Sequence, residues 1–411
     1  MPQPRVIFVN RFYWPEQPAT AQLLADLAES LTSRGLPITI ITSHPGEASI
    51  PSEETHHGVQ IIRIGEKRLG QKNLLKRTAD FARFLLGARR AVTRHAHPGD
   101  TLVAMTDPPL LGVALAGIAK RKNLRLIHWI QDIFPEVAIA VGHKFTALTR
   151  PSRDRAWRSA SACVALGTDM AALLRERGVP DSQIHLCPNW APEGLQPLPP
   201  DYPATATLRT HWALDGKLVI AYSGNLGRVH DFTSIIPLAE SLRADTDIAF
   251  VFIGDGAQRA SLEAAARERN LANIHFHPAQ PRDQLAETLA LGDIHLVTLR
   301  TGCERLVFPS KLYGIAAIGR PVLFIGPRDC EVARVIESNR FGHAFTSAPD
   351  DIPRLAAILR SLKSDPAQRL ALGQASSAFC AREGRLHHAT TRWHSLLSGN
   401  PLANTSPQPP L

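Results

Sequence analysis

Short stretches of this chain combine glycine, cation and carboxylate in patterns that can do chemistry. In Phe308-Pro309-Ser310-Lys311 the proline favours an extended entry, Ser310 is a good helix N-cap, and Lys311 stands in the first helical turn. Backbone N–H groups and the helix dipole already favour negative charge there, so a lysine is unfavourable until an anion such as phosphate sits between them. A solvated lysine on an ordinary helix start is the plainer alternative. Ser223-Gly224-Asn225-Leu226-Gly227-Arg228 offers two glycines where backbone can approach a ligand, and an arginine whose fork of donors suits a phosphate. Gly254-Asp255-Gly256 is a second glycine turn of the same kind. Gln131-Asp132-Ile133-Phe134-Pro135-Glu136 puts two carboxylates in one loop, where a carboxylate can orient a hydroxyl, act as a base, or merely cap a helix.

The elements that must position these residues alternate regularly. In the first half, β-rich runs at Arg5–Asn10, Ile38–Thr42, Val59–Ile64, Thr101–Met105, Arg125–Ile130, Ala162–Ala165 and Gln183–Cys187 are interspersed with helical patterns near 20–34, 74–95, 110–121, 145–158 and 168–177. In the second, Leu218–Tyr222, Ile248–Ile253, Ile274–Phe276, Ile294–Thr298 and Pro321–Ile325 alternate with helices near 232–243, 257–269, 282–291, 310–318 and 331–338. The fold class is therefore α/β, with two Rossmann-like domains. Pro192–Pro203, with five prolines in twelve residues, reads as a stiff linker. This divides the chain into 1–195, 205–374, a terminal helix at 375–398 that packs back on the first domain, and a disordered tail at 399–411. In such sheets ligands bind beyond the carboxyl ends of the strands, where the polar loops lie, including the Arg11–Thr20 loop with Glu16 and Thr20.

Composition excludes several classes. No apolar run reaches the roughly 18 residues needed to span a bilayer, and Met1-Pro2-Gln3-Pro4 leads straight into a strand, without a signal-peptide pattern. Five widely spaced cysteines argue against a disulfide framework and a Cys-x-x-Cys metal site, and the adjacent His56-His57 lacks helical ligand spacing. The expected location is the cytoplasm. Of the net charge of +9, most belongs to residues 1–195, which hold 24 Lys and Arg against 17 Asp and Glu. Residues 66–94 concentrate it on an amphipathic helix, among them Lys67, Arg68, Lys72, Lys76, Arg89 and Arg90, which suggests peripheral contact with an anionic membrane face. The complete Gly-x-Gly-x-x-Gly and Gly-x-x-x-x-Gly-Lys-Ser/Thr motifs are absent, against a dehydrogenase or P-loop enzyme, and no nucleic-acid module is recognisable.

Taken in order, Phe12-Tyr13-Trp14-Pro15-Glu16, Gln131 to Glu136, Pro188-Asn189-Trp190, Tyr222 to Asn225, Gly254 to Gly256 and Phe308 to Gly314 resemble the retaining family 4 glycosyltransferases of GT-B architecture. The similarity is greatest to the bacterial branch that builds colanic acid, O-antigen and capsule. The resemblance implies a nucleoside diphosphate sugar, with UDP expected, held by the second domain at Gly224, Asn225, Gly254, Asp255, Gly256, Pro309 and Ser310. It implies an acceptor glycan or polyprenyl-diphosphate-linked glycan on the first domain, near Glu16, Thr20, Gln131, Glu136 and Asn189. No metal or other cofactor is implied. Arg228 and Lys311 would stabilise the leaving diphosphate, and Asp132 would position groups in the cleft.

The sequence departs from the family pattern in places. Gly314 stands where a ribose-binding glutamate is common, with Leu306 eight residues earlier, and Glu304 is the nearest carboxylate for the donor sugar. Gln131 occupies a position where many members have histidine, and Pro18-Ala19-Thr20 replaces a glycine pair. Two other readings stay open, a sugar-nucleotide 2-epimerase of the same fold and a catalytically silent nucleotide-sugar-binding protein.

Overall fold

The computed structural model describes residues 4–65, 74–199 and 202–399. Lys67, Arg68, Lys72 and the expected tail beyond 399 lie outside the described residues. The first sheet contains β1 (Val6–Val9), β2 (Ile38–Ser43), β3 (Glu53–His56), β4 (Val59–Ile64), β5 (Thr101–Ala104), β6 (Arg125–Trp129), β7 (Ala162–Ala165) and β8 (Ile184–Leu186). Their order is β3-β4-β2-β1-β5-β6-β7-β8, parallel except for the β3–β4 hairpin. The second sheet contains β9 (Leu218–Ser223), β10 (Ile248–Ile253), β11 (Ile274–His277), β12 (Ile294–Thr298), β13 (Val322–Ile325) and β14 (Gly342–Phe345), parallel in the order β11-β10-β9-β12-β13-β14. Strand order reverses between β1 and β5 and between β9 and β12. Those switch points open the crevices in which such sheets hold ligands.

Most strands are predominantly apolar because helices cover both faces. β3 and β14 lie outside the expected set. β3, Glu-Glu-Thr-His, has no apolar face to betray it and pairs only through its hairpin with β4. β14 opens on Gly342, where a Cβ would lie 1.9 Å from the Val322 carbonyl. The last residue of the expected linker, Pro203, opens a helix, Pro203–His211, whose first-turn proline needs no N–H partner. The expected 145–158 helix divides into a 3-10 segment, Lys144–Thr149, and an α-helix, Arg150–Arg158.

The helix Pro366–Glu383 packs on the helix Lys311–Ala317 of the second domain, whereas Leu386–Leu397 crosses back to the first. Trp393 brings its ring to 5.9 Å from Phe8 and 5.0 Å from Trp129, and the Ser30 and Thr390 hydroxyls meet at 2.9 Å.

The two domains touch closely. Ile130, Ile133 and Trp157 share one apolar cluster with Leu306, Val307 and Leu312. Ile133 N–H donates to the Leu306 carbonyl at 2.8 Å, Arg305 pairs with Glu176 at 2.7 Å, and Arg282 approaches Asp26 at 3.7 Å. Beside them the helices Thr168–Glu176 and Glu331–Ser338 meet start to start. Asp169 N–H donates to Glu331 Oε2 at 3.2 Å, Glu331 N–H donates to Asp169 Oδ2 at 2.6 Å, and Arg334 pairs with Asp169. Gly167 leaves the room this needs, since a Cβ there would lie 2.1 Å from Glu331 Oε2.

Candidate active site at the interdomain cleft

On the second domain, two glycine loops lie against each other. Gly224, Gly254 and Gly256 have φ of +129°, +133° and +151°, backbone that other residues rarely adopt. A Cβ on Gly254 would lie 2.2 Å from the Gly224 carbonyl, and one on Gly256 would lie 2.6 Å from Asn225 Oδ1. Leu226 N–H donates to the Asp255 carbonyl at 2.8 Å, and the Asp255 carboxylate takes the Gly256 N–H at 2.7 Å. Gln258, a residue the sequence reading passed over, clamps the turn by donating to the Gly227 and His230 carbonyls at 2.6 and 3.0 Å.

Lys311 reaches into this floor. Its Nζ lies 3.4 Å from the centroid of the Tyr222 ring and 3.4 Å from where a Gly224 Cβ would be. Part of the stem is accessible, but Nζ is sealed from solvent and has no hydrogen-bond partner among the described residues. Burial holds the ammonium well below its ordinary value. Nearby His230 donates from Nδ1 to the Thr298 carbonyl at 2.7 Å and, desolvated and facing Lys311, is pushed down to about 4. Arg228 is exposed and has no ion pair among the described residues. Arg300, two residues beyond β12, places its N–H on the Val229 carbonyl at 2.8 Å, another cation with no signal in the sequence.

The expected Ser310 cap is corrected by the structure. Ser310 is already helical (φ −59°, ψ −22°), so its hydroxyl makes no capping bond. Leu312 and Tyr313 N–H turn back onto the Pro309 and Ser310 carbonyls. The pull on an anion here therefore comes from the Lys311 side chain. Glu304 takes the Gly302 N–H at 2.6 Å and braces its own loop. Position 314 faces Leu289 and Leu195, with a Cβ reaching 3.5 and 3.8 Å.

Across the cleft, Asp132 forms an isolated backbone bridge with Val307, bringing it against the 302–310 segment. Its carboxylate is exposed to the cleft yet deeply set in the molecule. Desolvation, and then Asp107, push it up to about 6. Asp107 is held by Arg11, whose Nε donates at 2.9 Å. Beneath Asp132 a pocket is lined by His128, Arg153, Trp157, Met105 and Leu111 among others. Gly112 makes room for the His128 ring, to which a Cβ would come within 2.1 Å, and burial pushes that imidazole down to about 4.

Three expected acceptor residues are engaged by the protein itself. Gln131 and Asn189, both buried, exchange amide hydrogen bonds at 3.1 and 3.0 Å. Glu136 is buried against Arg153 at 2.8 and 2.9 Å and Arg150 at 3.1 Å. Burial alone would raise that carboxyl, but Arg153 and then Arg150 hold it below its ordinary value. Glu16 lies in a turn closed by its own N–H on the Tyr13 carbonyl at 2.9 Å, and Thr20 stands in the first turn of Ala19–Thr32. One group of possible metal ligands, Glu29, His56 and His57, comes together among the described residues, at the β3 edge. There the ligand atoms of the three residues lie within 4.8 Å of one another, His57 is bonded to Glu29 at 2.9 Å, and the two imidazoles lie stacked with 18° between their planes.

The glycosyl transferase 4-like domain profile matches residues 20–190, and the glycosyl transferases group 1 profile matches 206–378. WbjE of Pseudomonas aeruginosa, named as a glycosyltransferase, is 28% identical over 68% of this chain and 69% of its own. WcaI of Escherichia coli (strain K12), whose name assigns it to colanic acid biosynthesis, is 25% identical over 85% of this chain and 89% of its own. Among solved structures, sucrose-phosphate synthase from Thermosynechococcus elongatus superposes with a TM-score of 0.79 at 15% identity, covering 97% of this chain and 99% of that one. Anabaena HepE in complex with UDP-glucose gives 0.73 at 14%, covering 96% and 99%. These likenesses show the GT-B fold, and the two profiles cover most of the length: the chain belongs to the family 4 glycosyltransferases.

Proposed function

We propose that this glycosyltransferase moves a sugar from a UDP-sugar to a glycan or polyprenyl-diphosphate-linked acceptor, with retention of anomeric configuration, in cell-surface polysaccharide biosynthesis. The observation that carries the donor assignment is Lys311. A desolvated ammonium with no counter-charge, set beside two backbone-exposing glycine loops, costs stability in the empty protein and becomes favourable when a diphosphate arrives. UDP complexes of HepE, and the name of WcaI, support the nucleotide and the pathway.

As the bond from the anomeric carbon to the diphosphate lengthens, negative charge grows on the leaving oxygens. Lys311, with Arg228, is arranged to meet that charge, which is stabilisation specific to the transition state. No metal ion is required in this scheme. Asp132, ionised above about pH 6, orients the acceptor hydroxyl from the opposite wall, while a leaving phosphate oxygen takes its proton. The cationic first domain rests on the cytoplasmic face of an anionic membrane; no helix of the described residues is long and apolar enough to cross one.

The decisive experiment is a thermal-unfolding screen of UDP-, GDP- and dTDP-sugars, followed by a UDP-release assay with lipid-linked acceptor. UDP-sugars should raise the melting temperature, and release should require the acceptor. Interconversion of UDP-sugars without any acceptor requirement would overturn the transferase scheme in favour of an epimerase.

A further inference from the structure

The 3-10 segment Lys144–Thr149 has an unusual outward face. With three residues per turn, Phe145 and Leu148 project on the same side. They are 72% and 86% exposed, the most exposed large apolar side chains among the described residues. Its hydroxyls are satisfied locally: Thr146 and Thr149 donate to the His143 and Thr146 carbonyls at 2.7 and 2.8 Å. The segment is held at its base by Arg150, which donates to the buried Glu136 at 3.1 Å. What it presents to solvent is two apolar side chains beside the exposed Lys144, on a fixed support.

The surroundings are cationic. The helices Leu74–His95, Leu111–Lys122 and Arg150–Arg158 pack in a row over one face of the first sheet, and the 3-10 segment adjoins the last of them. Together these four elements carry fourteen Lys and Arg against two acids, Asp80 and Asp154. Ten of the cations, including Arg90, Arg94, Lys120, Lys144 and Arg155, are exposed. Asp154 is neutralised by Arg153 at 2.7 Å, and Asp80 is buried.

We propose that Phe145 and Leu148 insert into the interfacial region of an anionic lipid bilayer while the surrounding helical layer lies on its headgroups. Two side chains make too small an apolar patch for a stable protein interface, which buries about 800 Å² on each partner. A lipid surface accepts just this combination of isolated apolar groups and diffuse positive charge. Nucleic acid would match the charge but leave Leu148 without a function. The inference deepens the membrane part of the function proposed above. The insertion would fix the distance between the lipid surface and Asp132, which the short helix Glu136–Ala140 separates from the segment.

The test is flotation with vesicles of phosphatidylglycerol and phosphatidylethanolamine, and with phosphatidylcholine alone. Wild type should partition onto the anionic vesicles in a salt-sensitive manner. Phe145→Ser/Leu148→Ser should lower the partition coefficient about tenfold or more, and the binding that remains should be more salt-sensitive. Because the five native cysteines are buried, Leu148→Cys can carry an environment-sensitive fluorophore, whose emission should shift to the blue on binding. Equal partitioning of wild type and double variant, or an unshifted probe on bound protein, overturns the inference. So does tight binding of a single-stranded oligonucleotide with no vesicle binding. A UDP-induced melting shift in the same preparations separates the outcomes, since its loss bears on the donor site and not on this surface.

Discussion

Lys311→Met separates a ligand-binding lysine from a structural one, because the two roles predict opposite signs. Methionine keeps the length of the stem and removes the charge. In the empty protein the ammonium has lost its water at a cost of several kcal/mol, and the Tyr222 face at 3.4 Å returns about 2 kcal/mol. Burial lowers the affinity of Nζ for its proton, so desolvation works against the charge. The variant should therefore be more stable without ligand by about 1 kcal/mol or more, raising the melting temperature by roughly 2–4 °C per kcal/mol for a unit of this size. With UDP the order should invert. Loss of a charge-assisted hydrogen bond of about 1.5–3 kcal/mol weakens UDP binding roughly tenfold to hundredfold, and turnover should fall about 10²–10³-fold. Paired melting curves with and without UDP, alongside calorimetric titration, read both signs. A variant that melts lower when empty and binds UDP as tightly as wild type would refute the reasoning.

Four further outcomes follow. Because Asp132 is raised to about 6 and acts ionised, kcat/KM should fall about tenfold per pH unit below that point, and Asp132→Asn should abolish this limb. The same shift makes this carboxyl's contribution to folding fully present below its ordinary value of 3.8 and lost as pH rises through about 6. Arg153→Met takes the two shortest partners from buried Glu136 and should cost about 3 kcal/mol in urea denaturation, whereas the combined Arg153→Met/Glu136→Met should recover part of it. Chelation with EDTA should leave transfer activity unchanged; a tenfold loss restored by magnesium would contradict the metal-independent scheme.

Much of the scaffold was legible because buried parallel strands are short runs rich in apolar, β-branched residues. Val59–Ile64, Ala162–Ala165, Ile248–Ile253 and Ile294–Thr298 appear with the expected bounds. β3 escaped because a polar edge strand is defined by its partner, and its own residues show no alternation of apolar and polar. In the site, the glycine turns were readable because positive φ demands glycine, and Lys311 because a cation at a helix start is locally unfavourable. The partners of polar side chains were not readable. Asp132 and Glu136 lie in one loop with similar chemistry, yet Glu136 is closed off by Arg153 and Arg150 while Asp132 faces the cleft. Ser310 is a suitable cap by type, but a cap needs extended backbone and Ser310 is helical. His128 and Gln258 gave no local signal, since their roles depend on Gly112 and on the Gly227–His230 turn.

The meeting of Asp169 with Glu331 makes the cleft report on itself. Neither the Thr168–Glu176 nor the Glu331–Ser338 helix begins with a capping side chain of its own; each depends on a carboxylate from the other domain. Separating the domains at this point would uncap both helices in one movement, at about 1 kcal/mol apiece, so the resistance to opening resides in two helix ends. The amides of Asp169 and Glu331 should then exchange hydrogen in step, at a rate set by domain separation, and a bound donor that favours closure should slow the pair together. Two residues 162 positions apart thus form a natural gauge of how often this enzyme opens.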